Sequence, residues 1–120
     1  MPIQIAVKPG GFTSSAIIDG VLYAINNGAD VINLSIQVKF PRGLKVTNKQ
    51  LEEMQGGDDE LFWNELFKIA NDSNITIVFC AGNQEVLISL DAMKRDHSVI
   101  TVSATNDLNE KAVFLSLIHI

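Results

Sequence analysis

The sequence predicts an α/β fold with an open, mostly parallel sheet flanked by helices. Three observations carry this reading. Four short segments, residues 3–7, 30–35, 75–81 and 99–104, are rich in Val and Ile. The second and third are nearly continuous apolar runs, as in parallel strands covered on both faces. Helix-patterned stretches separate the first three, giving the order β-α-β-α-β-β. Parallel neighbours joined in this way cross over right-handedly.

The first strand stops at Gly10-Gly11, and Thr13, Ser14 or Ser15 can cap the helix that follows by accepting backbone N–H bonds. Ile17, Ile18, Val21, Leu22 and Ile25 then recur at helical spacing as one apolar stripe. Asn27-Gly28 ends the helix, because glycine takes the left-handed conformation without a Cβ clash. Residues 37–57 are polar, contain Pro41, Gly43, Gly56 and Gly57, and read as a surface excursion with a short helical turn near residues 50–54. A second long helix is expected from about Asp58 to Asn71. Its start carries Asp58, Asp59 and Glu60, which the helix dipole favours. Phe62, Leu66, Ile69 and Ala70 give its buried stripe, with Trp63 and Phe67 beside it.

Length and composition narrow the function classes. The 120 residues are 47% apolar and 19% charged, which suits a single folded domain over residues 1–120. A net charge of −5, without a Lys/Arg cluster, argues against nucleic acid, where phosphate neutralisation needs grouped cations. No apolar run reaches the length of a membrane-spanning helix. Met1-Pro2-Ile3-Gln4 does not open a basic and then apolar signal peptide. Cys80 is the only cysteine, so no internal disulfide is expected. His97 and His119 make no zinc spacing with it or with each other, and no metal or cofactor is expected.

Ligands of open α/β sheets bind beyond the carboxyl ends of the strands, which directs attention to residues 9–15, 35–38, 81–84 and 105–109. In Cys80-Ala81-Gly82-Asn83, Gly82 allows close backbone approach, and Asn83 presents an N–H donor suited to an oxyanion. Turn chemistry accounts for the same residues. Gly10-Gly11 with Thr13-Ser14-Ser15 can hold a phosphate at a helix start, or simply cap it; the Walker lysine and the GxGxxG spacing are missing. Cys80, inside an apolar strand, reads as a small buried hydrophobe. His97, among Lys94, Arg95 and Asp96, reads as a solvated loop residue. A receiver-type phosphoacceptor domain needs acidic residues after the first strand and an Asp ending the third. Pro9-Gly10 and Ala81-Gly82 stand there instead.

Taken together, the blocks resemble subtilisin-like serine peptidases, the subtilases of peptidase family S8. Residues 17–35, IIDGVLYAINNGADVINLS, resemble the family's helix ending in asparagine-glycine and its Asp-Val-Ile-Asn-x-Ser strand. Residues 70–83, ANDSNITIVFCAGN, look like its helix, strand and Ala-Gly-Asn turn, and residues 98–105, SVITVSAT, like its next strand. The resemblance spans residues 3 to 116 and implies part of a three-layer α/β/α domain. It implies that Asn83 is the oxyanion-hole asparagine. Ser35, Ile36 and Gln37 would form one wall of the substrate cleft, and Ala81 and Gly82 the facing wall. Gln37 stands where the family usually has glycine, so a side chain occupies that space.

The family's Asp and His motifs lie upstream of this block and its Gly-Thr-Ser motif downstream. None is present in residues 1–120, and neither histidine matches. The resemblance therefore implies a central piece of a serine endopeptidase domain that acts on peptide or protein substrate only within an intact parent. Such parents are often secreted. Residues 114–120 replace the family's Phe-Ser-Asn-x-Gly block and read like a truncation or a changed reading frame. In the family, the strand bearing the catalytic Asp lies between the strands matching residues 3–7 and 30–35. Its absence implies re-pairing of those two strands, or self-association in which another copy fills the gap. Two further readings stay open: a non-catalytic α/β interaction module, and a small phosphate- or nucleotide-binding domain built on residues 10–15.

Overall fold

The structure, a computed structural model, describes residues 1–6, 11–112 and 115–116. In chain order its elements are helix α1 (Ser14–Asn26), strand β1 (Val31–Leu34), helix α2 (Asn48–Glu53), helix α3 (Asp58–Asp72), strand β2 (Thr76–Cys80) and strand β3 (Val99–Val102). Two short 3-10 turns, Ile88–Leu90 and Ala92–Lys94, lie between β2 and β3.

Local chemistry sets the helix ends. Thr13 caps α1, its hydroxyl accepting the Ala16 N–H at 3.2 Å. At the other end the Gly28 N–H donates to Ile25 O and the Ala29 N–H to Ala24 O, both at 3.1 Å. This Schellman closure requires a left-handed residue, and Gly28 has φ +72°. The same closure ends α3, with Asn74 at φ +58° as the left-handed residue. The expected helical turn near residues 50–54 is α2, held by a Thr47–Gln50 capping box.

The three strands form one parallel sheet in the order β1-β2-β3, with Val31 opposite Thr76 and Ile77 opposite Val99. Ile32 and Leu34 of β1 and Ile77 and Phe79 of β2 point into one core with Ile17, Val21 and Ala24 of α1 and the apolar face of α3. The opposite sheet face carries Val31, Ile100 and Val102, each more than half exposed.

Three expectations are corrected. Residues 3–6 form no strand, and Val7 lies outside the described residues. Ile3 and Ile5 instead pack on α1 at Gly20, where a Cβ would meet Ile5 Cγ2 at 2.8 Å. A strand needs a pairing neighbour, and a cavity of about 840 Å³ lies between this segment and β1. Second, the helices cover one sheet face among the described residues, not both. Third, α3 buries Trp63, Leu66, Phe67 and Ala70, while Phe62 and Ile69 are 45% and 42% exposed. The helix is turned so that Phe67 meets Phe79 of β2, with Trp63 stacked on Phe67. No helix among the described residues is long and apolar enough to cross a membrane.

Candidate functional site

At the carboxyl end of the sheet, the chain leaving β1 and the chain leaving β2 run side by side. Parallel pairing dictates this, since both strands must end at the same edge. Ser35 is exposed, and its hydroxyl accepts from Asn33 Nδ2 at 3.2 Å. Ile36 is half-buried, and its carbonyl accepts the Cys80 thiol at 3.3 Å. That bond and partial exposure qualify the reading of Cys80 as a buried hydrophobe: it is half-buried and ties the two segments together. Ala81 and Gly82 are buried, and Asn83 is exposed.

Gln37 joins the two segments. Its Oε1 accepts the backbone N–H of Asn83 at 2.8 Å. The same oxygen lies where a Cβ on Gly82 would stand, and Gly82 has φ +92°, so only glycine fits there. From the other side the Ser116 N–H donates to Gly82 O at 2.9 Å. Further along, the Phe40 N–H donates to Gln84 Oε1 at 3.1 Å and the Gly43 N–H to Gln84 O at 2.8 Å. Arg42 pairs with Glu85, the latter at φ +56°. A small cavity of about 10 Å³ lies beside these contacts, lined by Gln37, Phe40, Ala81, Gln84, Asp91 and Ser116 among others.

A larger cavity, about 950 Å³, opens beside this edge between the start of α1, residues 37–40, the start of α3 and residues 90–95. Phe12, Phe40, Trp63 and Met93 give it apolar walls, and Asp91 and Arg95 also line it. Arg95 pairs with Glu60 at 3.1 Å, and both side chains are largely buried. Burial pushes the Glu60 carboxyl up. The hydrogen-bonding Arg95 guanidinium and the Gly56 N–H outweigh that, so its pKa lies below the ordinary value. A carboxylate depressed on folding contributes stability above its unfolded pKa of about 4.3 and loses it as pH falls through the folded value. Glu60→Gln is therefore expected to flatten the acid side of the stability profile, measured by urea unfolding as pH is lowered from neutrality through the unfolded pKa of about 4.3 and below it. An unchanged profile would remove Glu60 as a contributor.

Sequence reasoning missed two features here. Asp91 and Lys94 are a buried pair 3.2 Å apart, with side chains 4% and 2% exposed. Asp91 Oδ1 also accepts the Met93 N–H, capping the second 3-10 turn. In the sequence Lys94 figures only as a charged neighbour of His97. The signal that finds the pair is its i, i+3 spacing inside an otherwise apolar stretch. Arg95 likewise turns inward, donating to Ser89 O at 2.7 Å. His97 is exposed, as expected of a loop residue. In the glycine-rich start of α1, the Thr13 hydroxyl is engaged as a cap; Gly10 lies outside the described residues.

Comparison with known proteins adds the family. The Peptidase_S8 family model, the subtilase family, matches residues 1–117. No match is found among curated proteins. Among solved structures, a lanthipeptide protease superposes with a TM-score of 0.71 at 15% identity, covering 96% of this chain and 34% of that one. The prenylagaramide maturation protease PagA superposes at 0.63 with 17% identity, over 94% of this chain and 39% of that one. At such identities the likeness is one of fold, and this chain spans only a third to two-fifths of their length. The parallel sheet, its carboxyl-edge turn and the match over nearly every residue place this chain in the subtilase family, peptidase S8.

Proposed function

We propose that this chain is the substrate-binding and oxyanion-binding part of a serine endopeptidase domain. In an intact parent, a serine nucleophile attacks the peptide carbonyl, and the Asn83 side-chain amide donates to the oxyanion that forms. Ser35, Ile36 and Gln37 line one side of the bound peptide and Ala81 and Gly82 the other. The observation supporting this most is the side-by-side placement of residues 35–37 and 81–83, with Asn83 exposed at the shared edge. Residues 1–120 hold no motif-matched base or nucleophile, so on their own they are expected not to hydrolyse peptide. A fluorophosphonate probe tests this. A longer chain carrying the Asp, His and Ser motifs should label at its serine, and residues 1–120 should not. Failure of that longer, folded chain to label would end the peptidase reading.

A second reading, self-association, is supported by the cavity of about 840 Å³ beside β1. The outer edge of β1 has no strand partner among the described residues, and an open edge recruits another strand. The mass of the purified chain is expected to rise with concentration in sedimentation equilibrium. A monomer at every concentration, with β1 amides fully protected from exchange, would exclude it.

A further inference from the structure

The peptidase reading gives the oxyanion to Asn83 and leaves open what holds that residue in place. The backbone around it is not self-supporting. Gly82 stands at φ +92°, in a region glycine enters and leaves freely, and Asn83 is exposed beyond the end of β2. One peptide plane, joining Gly82 to Asn83, sets the direction in which residue 83 leaves the sheet. Both of its polar groups are bonded, each to a different part of the chain. Its carbonyl, Gly82 O, accepts the Ser116 N–H at 2.9 Å, and its N–H donates to Gln37 Oε1 at 2.8 Å. Rotation of the plane would break both bonds at once. Of residues 35–37, only Gln37 reaches it: the Ser35 hydroxyl accepts from Asn33, and the Ile36 carbonyl takes the Cys80 thiol. The Gln37 side chain is admitted because residue 82 has no Cβ, which would overlap its oxygen. The bond spans 46 residues, so it forms only when the carboxyl ends of β1 and β2 are side by side.

We propose that Gln37 is a positioning residue for the oxyanion donor: its carboxamide oxygen fixes the Gly82–Asn83 peptide plane and, through it, Asn83. This rests on the peptidase reading, because it presumes that Asn83 meets an oxyanion. Gln37 touches no reacting atom and is not a catalytic residue. A donor held on a fixed plane needs less reorganisation as charge develops. The contribution of Gln37 therefore belongs to the rate of the bond-making step and not to binding.

Gln37→Met tests this, since methionine keeps the length of the side chain and removes the acceptor oxygen. In the 120-residue chain, amide exchange by NMR reads the bond directly, and the Asn83 N–H should exchange about tenfold faster in the variant. In a longer chain carrying the Asp, His and Ser motifs, a fluorophosphonate probe places its phosphonyl oxygen where the oxyanion forms. Labelling over a range of probe concentrations separates the limiting rate from the half-saturating concentration. Gln37→Met should lower the limiting rate about tenfold and leave the half-saturating concentration unchanged. In an Asn83→Ala background the same substitution should change the limiting rate by less than about twofold, because its effect passes through Asn83. A merely structural role would carry the full loss into both backgrounds, and that result would overturn the proposal while leaving the peptidase reading intact. Unchanged exchange at Asn83, or a loss confined to the half-saturating concentration, would do the same. A folded longer chain that does not label, with Gln37 in place, would overturn both together.

Discussion

Phe67→Ala is expected to lower the unfolding free energy by about 3–5 kcal/mol, the range for removing a buried phenylalanine ring. A domain of this size has about 5–15 kcal/mol in total, so the variant stands near the edge of folding. Phe67 is 1% exposed and sits where α3 meets the sheet. Its ring stacks on Trp63 at 6.0 Å and 23°, and meets Phe79 of β2 edge-on at 5.8 Å and 69°. Phe79 is itself 1% exposed, so the cavity left by truncation has little freedom to collapse. Urea unfolding followed by circular dichroism measures the loss as a lower midpoint at constant slope. A double-mutant cycle with Phe79→Ala should show coupling of about 0.5–1.5 kcal/mol for the aromatic pair. A loss below about 1 kcal/mol, the level of an ordinary surface change, would mean that α3 does not pack on β2 as described.

How much of this was legible in the sequence depends on whether the deciding interactions are local. The limits of α1 were, because the Thr13 cap and the Asn27-Gly28 stop act on neighbouring backbone groups. The start of α3 was too, from its three acids against the helix dipole. Which face of α3 is buried was not. Phe62, Trp63, Leu66, Phe67, Ile69 and Ala70 offer more apolar positions than one stripe holds, and Phe79, far away in sequence, makes the choice. Residues 3–7 have the composition of a strand, yet a strand exists only through its partner, and residues 3–6 lie on Gly20 instead. The adjacency of residues 35–37 and 81–83 was legible, since parallel strands bring their carboxyl ends to one edge. The Gln37 contact was legible only as an occupied volume. Its pairing with the Asn83 N–H depends on a side-chain rotamer that spacing does not encode. The buried Asp91–Lys94 pair escaped notice because composition cannot tell a desolvated charge from a solvated one. Its removal is correspondingly costly: Lys94→Met leaves the Asp91 carboxylate buried without its partner, the kind of change that costs about 3–5 kcal/mol.

In a chain that joins this segment to the family's Asp, His and Ser motifs, Asn83→Ala is expected to cut kcat by about a hundred- to a thousandfold with little change in KM. That magnitude is the one already established for a subtilisin's own oxyanion asparagine and is not read from this structure. What this structure supplies is the reason to expect the effect at Asn83. Its side chain is exposed at the sheet edge, while its backbone N–H is held by Gln37 and the preceding Gly82 carbonyl by the Ser116 N–H. The turn that carries the side-chain amide is thus pinned through its backbone on both sides. A donor carried on a fixed turn needs less reorganisation when charge develops in the transition state. A donor that bound substrate and transition state equally would raise KM on removal and leave kcat unchanged, so the split between the two constants decides the role. Stability should barely move, since the removed amide makes no hydrogen bond to a described residue and lies in solvent. Asn83→Ala with full kcat, or with KM alone raised, would assign the oxyanion to another group and reduce Asn83 to a turn residue.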